Sequence, residues 1–224
     1  MNSQKPGLLL LYGGWEGHLP RKMAEIFRQR FSGQYDIKLH SSLDYLLSPE
    51  IYEFDAIIPL WTQGELSPAQ ESAFSAAISY GLGLIAWHGS ADAFRCNQQF
   101  KMMLGGTFIS HPGDKVHYPV VPVTNPQISI VDMPVFELES EQYYMHVDPS
   151  VNWVAETVFT SSNRPWHKVR MPVSWTKMWG QGRVFYTAIG HDVESFEHDA
   201  ALKLLGKGIE WVLEGKVGRY EACT

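Results

Sequence analysis

The stretch from residue 81 to 94, Gly-Leu-Gly-Leu-Ile-Ala-Trp-His-Gly-Ser-Ala-Asp-Ala-Phe, limits what this chain can fold into more than any other. Its first half is a short apolar run punctuated by glycine, the pattern of a strand buried on both faces. Strands of that kind belong to parallel sheets covered by helices on both sides. The pattern breaks at His88-Gly89-Ser90, and a helix is expected to start from about Asp92. A polar elbow between a buried strand and a helix lies at the carboxyl end of a parallel sheet, where open α/β sheets bind ligands. An imidazole there can also do no more than satisfy a backbone group. On this stretch alone the two readings stand level.

The rest of the chain repeats the logic. Residues 7–12 read as a buried strand that ends in Gly13-Gly14-Trp15-Glu16-Gly17-His18. The glycines allow a sharp turn, but their spacing is not the dinucleotide fingerprint. Pro20 opens a helix to Phe31. Ser67-Pro68, with Gln70 in the capping-box position, starts another that runs to about Tyr80. A third helix is expected over 94–103 and a last one over 198–214. Strands at 7–12, 35–40, 55–61, 83–87 and 183–187 are expected in one mostly parallel sheet, joined by right-handed crossovers. The texture changes at about residues 116–176, where short β runs at 116–123, 128–130, 136–146, 151–159 and 171–175 alternate with turn residues. This β-rich segment reads as part of a single domain over 1–224. A glycine-containing connection over 177–182 joins the strands at 171–175 and 183–187 as a hairpin, and the tail after Gly215 reads as loose.

Composition narrows the function. The net charge is −6 and no long basic run occurs, which argues against a nucleic-acid partner. The longest apolar run is too short to span a bilayer, so no membrane is expected. Two cysteines, Cys96 and Cys223, make no disulfide framework and are expected reduced, as in a cytoplasmic protein. Neither cysteine marks a nucleophile, and Ser90 lacks the Gly-x-Ser-x-Gly flanks of a hydrolase elbow.

Three histidines share one address. His18, His88 and His191 each follow a predicted strand beside glycine, so parallel neighbours would open all three onto one edge. His111, in the glycine-rich loop 105–113, could fold over that edge. Glu16 and Glu65 lie in strand-end loops, Asp92 just past the elbow, and Glu141 next to Gln142-Tyr143-Tyr144. Imidazole and carboxylate are ligand types for zinc and other divalent ions, so a divalent metal on His18, His88 and His191 is a candidate cofactor. No histidine pair has a close spacing such as His-Glu-x-x-His, and spacing alone leaves the metal a minority reading.

The motifs together resemble the trehalose-utilisation (ThuA-like) family. Those that carry the resemblance are Gly13 to His18, Ala86-Trp87-His88-Gly89-Ser90-Ala91-Asp92-Ala93-Phe94-Arg95, Gly105-Gly106 to His111-Pro112, Ser140 to Met145, and Pro172-Val173-Ser174-Trp175 to Gly190-His191. They span about residues 7–213. The resemblance implies a class I glutamine-amidotransferase-like fold, a flavodoxin-like three-layer αβα sandwich. It also implies a role in carbohydrate metabolism, with trehalose-type disaccharides or their 3-keto derivatives as substrates. Amidotransferases carry a nucleophilic cysteine at the elbow. Trp87-His88-Gly89-Ser90 stands there instead, so glutamine hydrolysis through a thioester has no nucleophile. The family elbow commonly reads His-Gly-Gly, and Ser90 replaces its second glycine.

The leading expectation is an enzyme that acts on a sugar or keto-sugar by hydrolysis, isomerisation or elimination. His88 would be the general acid–base or a ligand, with His18 and His191 beside it and Glu141 and Asp92 orienting them. Trp15, Trp61 and Trp87 would offer an apolar platform, with Glu16, His111 and Tyr143 as further substrate contacts. A non-catalytic sugar-binding or regulatory protein would use the same cleft, and a structural subunit would have none. Convergence of the histidines on one point discriminates among the three. Assembly into a homo-oligomer is compatible with the sequence. A strand-end imidazole facing a wet cleft should cost little stability when replaced.

Overall fold

Leu8, Leu9, Leu10 and Leu11 are all fully buried in strand β1 (Gly7–Gly14), because helices cover both faces of the sheet it belongs to. The structure is a computed structural model that describes residues 5–130, 132–160 and 168–215. After β1 come α1 (Pro20–Phe31), β2 (Asp36–His40), β3 (Ala56–Thr62), α2 (Pro68–Ser79), β4 (Gly83–Trp87) and α3 (Gln98–Leu104). The β-rich part follows as β5 (Gly106–Ser110), β6 (Lys115–Pro122), β7 (Phe136–Glu141), β8 (Tyr144–Val147), β9 (Asn152–Phe159) and β10 (Val169–Trp179). The last elements are β11 (Gly182–Thr187), α4 (Val193–Phe196) and α5 (Asp199–Glu214).

Nine strands form one sheet in the order β2-β1-β3-β4-β11-β10-β9-β6-β7. The block from β2 to β11 is parallel, and the strands from β10 to β7 extend it antiparallel. This is the expected α/β architecture, with the five expected parallel strands in one sheet. β5 and β8 make a separate antiparallel pair. On one face Trp87 stacks on Phe27 of α1 and packs against Phe196 of α4. On the other, Tyr186 packs on Trp175, whose indole N–H donates to the Leu104 carbonyl at the end of α3. Gly14 pairs with Thr62, and Thr187 with Trp87, so β1, β3, β4 and β11 end close to level. The antiparallel end of the sheet curls back: β7 packs on α4, and Phe136 stacks on His198.

Four expectations need correction. The helix expected from Asp92 over 94–103 starts only at Gln98. Phe94 takes φ 51°, its N–H donates to the Gln63 carbonyl, and the Asn97 side chain bonds both backbone groups of Leu66. These tertiary bonds outweigh local helix propensity. Residues 128–130 form no strand, because Asn125 Oδ1 accepts from the N–H groups of Gln127 and Ile128 and turns the chain. The run 136–146 divides at Gln142 into β7 and β8, and β10 continues to Trp179, which leaves Gly180 and Gln181 as the hairpin turn. Cys96 is free, and it lies in a turn rather than a helix. Cys223 and the tail after Gly215 lie outside the described residues.

Candidate active site

The site is built on the elbow after β4. His88 takes a left-handed backbone with φ 43°, a conformation that costs an L-residue about 1–2 kcal/mol. Bonds from three sides hold it there. Ser90 Oγ donates to the Pro59 carbonyl at 2.6 Å, Tyr186 Oη donates to the His88 carbonyl at 3.0 Å, and Lys101 Nζ donates to the Ala91 carbonyl at 2.8 Å. Gly89 must be glycine for a packing reason. A Cβ on it would lie 2.0 Å from Thr62 Oγ1 and 2.8 Å from His18 Nδ1. The elbow therefore presses directly on the turns that follow β1 and β3.

Three imidazoles meet over this elbow. His18 ends a one-turn helix, Glu16–His18, after β1, and its Nδ1 bonds Thr62 Oγ1 at 2.8 Å. His88 donates from Nδ1 to the Ala188 carbonyl at 3.0 Å, and its Nε2 accepts from Tyr143 Oη at 2.9 Å. His191 follows β11 past Gly190, whose φ of 115° turns the chain over Trp87. His191 Nδ1 lies 3.2 Å from Glu141 Oε2, which in turn lies 3.3 Å from His88 Nε2. Glu141 is the last residue of β7, so the curl of the sheet delivers the carboxylate to the histidines. His18, His88, His191 and Glu141 each bring one nitrogen or oxygen within 4.8 Å of the others, donor types that a divalent ion accepts.

The environment sets the charge of each group. Burial, followed by the neighbouring His88 and His191, pushes the His18 imidazole down to about 3. Burial also lowers His88, so both rings are neutral at ordinary pH. Burial alone would raise Glu141, but hydrogen bonds to His191 and His88 outweigh it and hold the carboxyl well below the usual carboxylate range. Burial raises the Tyr143 phenol well above its ordinary value and keeps it protonated. Side-chain exposure climbs from His88 at 2% through Glu141 at 12% and His191 at 21% to His111 at 34%, which identifies the side that faces solvent.

The sequence-predicted residues divide. His18, His88, His191, Glu141 and Tyr143 come together. His111 stands at the rim, its Nε2 3.7 Å from Glu141 Oε1 and its ring stacked on Phe108. Trp15 is exposed at the mouth, with its ring edge-on to His18 at 4.8 Å. Trp61 is half-buried between Gly13, Gly64 and Phe94. Glu16 is exposed and stands outside the cluster. Asp92 also stays outside it, with its Oδ1 accepting from Arg95 Nε at 2.6 Å, and orients no histidine. Trp87 is core, because side chains alternate along β4 and its ring falls on the α1 and α4 face. Thr62 was not singled out from the sequence, although it ends a predicted strand at the same edge as the histidines. Its place at the end of β3 is the signal that marks it.

Comparison with known proteins agrees with this fold. The family model described as trehalose utilisation (ThuA) matches residues 8–212. A ThuA-like protein from Bacteroides uniformis ATCC 8492 is similar in structure at a TM-score of 0.75 and 18% identity, over 95% of this chain and 94% of that one. Another, from Parabacteroides merdae ATCC 43184, gives 0.77 at 15% identity, over 95% and 91%. The beta-galactosidase of Rahnella sp. R3 gives 0.62 at 13% identity, over 93% of this chain but 32% of that one. No curated protein matches the chain in sequence.

Proposed function

We propose, from the premise that this chain belongs to the trehalose-utilisation (ThuA) family, that it is an enzyme of carbohydrate metabolism. It removes and returns a proton next to the ketone of a 3-keto derivative of a trehalose-type disaccharide. One observation carries this reading: an ionised carboxylate, Glu141, stands 3.2 Å from His191 and 3.3 Å from His88 at the carboxyl edge of the sheet.

The chemistry follows from the groups present. A ketone acidifies the hydrogen on its neighbouring carbon. Glu141 is the base for that hydrogen, and the enolate oxygen that forms needs a proton or a donor. Tyr143, protonated through burial, supplies a hydroxyl beside it, and the imidazole of His191 can relay the proton on the solvent side. The enolate then takes a proton back on a different atom, or expels the glycosidic oxygen. Isomerisation and elimination share this first step. Two-carboxylate hydrolysis is disfavoured, because glycosidases flank the bond with a pair of carboxylates. Among the described residues the cluster holds Glu141 alone, while Asp92 is tied to Arg95. The sugar platform falls to Trp15, which is exposed beside His18. That a beta-galactosidase contains the same fold is in keeping with a sugar as the substrate.

The test is turnover of 3-keto-glycosides by the wild type and by His191→Gln. His191 is the better choice than His88, which is buried with both ring nitrogens bonded, so replacing it mixes loss of stability with loss of chemistry. His191→Gln should lose roughly 10²–10⁴ in turnover, with a melting temperature close to that of the wild type. Normal turnover in this variant would sink the reading. So would sugar binding with no turnover by the wild type, which would leave a carbohydrate-binding protein.

A further inference from the structure

Atoms with free electron pairs converge at the head of the cluster. A carbonyl only accepts, so His88 Nδ1, 3.0 Å from the Ala188 carbonyl, carries the ring proton and Nε2 presents its lone pair. That lone pair stands 3.3 Å from Glu141 Oε2 and 3.3 Å from His191 Nδ1. The Tyr143 hydroxyl holds that lone pair, and the three atoms lie as close together as ligands of one ion do. We propose that His18, His88, His191 and Glu141 are the ligands of one divalent cation of the zinc type, held in a tetrahedral site.

Two sets of distances support this. His88 Nε2, His191 Nδ1 and Glu141 Oε2 outline a near-equilateral triangle with sides of 3.3, 3.2 and 3.3 Å. Ligands about 2.0–2.1 Å from a tetrahedral ion stand roughly 3.4 Å from one another. The rings repeat the figure, with centroids 4.9 Å apart for His18 and His88, 5.1 Å for His88 and His191, and 5.3 Å for His18 and His191. Three imidazoles that each give one nitrogen to the same ion place their centroids roughly 5 Å apart.

The surroundings suit ligation. Thr62 Oγ1 is hydrogen-bonded to His18 Nδ1 at 2.8 Å, which turns Nε2 toward the ion, and the Ala188 carbonyl accepts from His88 Nδ1 at 3.0 Å. Hydrogen bonds of this kind orient ligating histidines from behind. A proton on one ring nitrogen satisfies only one pair of these atoms. A dication instead meets all four groups at once, and with Glu141 ionised the site keeps a net charge of only one. The Tyr143 hydroxyl, 2.9 Å from His88 Nε2, holds that lone pair in the absence of an ion and releases it on binding. With Glu141 Oε2 on the ion, Oε1 is left as the base, and use of the ion to polarise a substrate ketone rests on the keto-sugar reading above, whereas binding of the ion does not.

The experiment is titration of chelator-stripped protein with zinc(II), followed by calorimetry, with cobalt(II) as the spectroscopic probe. One ion per chain and a visible cobalt absorption typical of four-coordinate nitrogen and oxygen ligation are expected. Thr62→Val should weaken zinc binding by about 10–100-fold through loss of the His18 support. His191→Ala and Glu141→Gln, both partly exposed and so tolerant of change, should weaken it further. Far-UV circular dichroism confirms that each variant is folded. Substoichiometric zinc binding by the wild type, or undiminished affinity in folded His191→Ala, would overturn the site. Stoichiometric zinc without turnover of any 3-keto-glycoside would leave the metal site standing and remove the enzymatic reading. Turnover by stripped protein that binds no zinc would do the reverse.

Discussion

His88 and Ser90 divide the work of the elbow between chemistry and support. His88 turns its ring into the cluster from a strained backbone, and Ser90, fully buried, ties that backbone to β3 through the Pro59 carbonyl. Ser90→Ala removes a buried hydrogen bond, so it should cost about 0.5–1.5 kcal/mol in urea unfolding. Unchanged stability would mean that Tyr186 and Lys101 hold the elbow without it. The Ser90 hydroxyl thus anchors the elbow to β3. At this scale the sequence was informative where a residue's address follows from topology. His18, His88 and His191 each follow a parallel strand, and a turn there has only one edge to occupy. It was silent on orientation. Trp87 and His88 are consecutive, and the alternation of side chains sends one into the core and the other into the site. The sequence also leaves open how wet the site is, so His88 read as a cheap residue to replace, whereas its ring is bonded at both nitrogens.

Elements were legible in proportion to how local their causes are. The capping box of Ser67 and Gln70 and the proline at the start of α2 act within one turn, and that helix starts where expected. The helix expected at 94–103 starts late because Phe94 and Asn97 bond to residues some thirty positions earlier, which no local pattern reveals. The turn between β8 and β9 has a local and a distant cause together. Asp148 accepts from the Ser150 hydroxyl and N–H at 2.6 and 2.8 Å, and from Lys177 Nζ of β10 at 2.9 Å. The Ser150 bonds first, then Lys177, lower the Asp148 carboxyl from 3.8 to about 2. A carboxyl depressed in the folded state stabilises fully above its unfolded value and loses that contribution as pH falls through its folded one. Asp148→Asn should therefore cost about 1 kcal/mol at neutral pH, allowing for the partly exposed carboxylate. The gap from the wild type should narrow as melts are taken toward about pH 2. A gap independent of pH would assign the loss to packing.

At the scale of the whole molecule the site is a joint. Its histidines follow strands of the parallel block, and its carboxylate ends β7, at the far edge of the antiparallel extension. The sequence revealed both halves but not their pairing order, because which strand neighbours which depends on non-local contacts. Lys115 on β6 and Asp192 beside His191 add a second tie across the same gap, at 2.8 Å and partly exposed. An ion bound at the cluster would bridge the two halves, so its binding energy would add to the stability of the fold as a unit. Zinc(II) at about a hundred times its dissociation constant should raise the melting temperature by about 5–10 °C in a chain of this size. Scanning calorimetry of the wild type and His191→Ala checks this, and equal shifts in both would place the ion elsewhere.

The position of β11 has a consequence for how the molecule comes into being. It is the last described strand to leave the ribosome, yet it lies in the middle of the sheet, between β4 and β10. Without it the sheet would divide into two blocks, β2-β1-β3-β4 and β10-β9-β6-β7, each with one more open edge. Its arrival closes both edges in one step, and His191 follows it by four residues. The strand that joins the two halves of the sheet is thus also the one that carries the last histidine into the cluster.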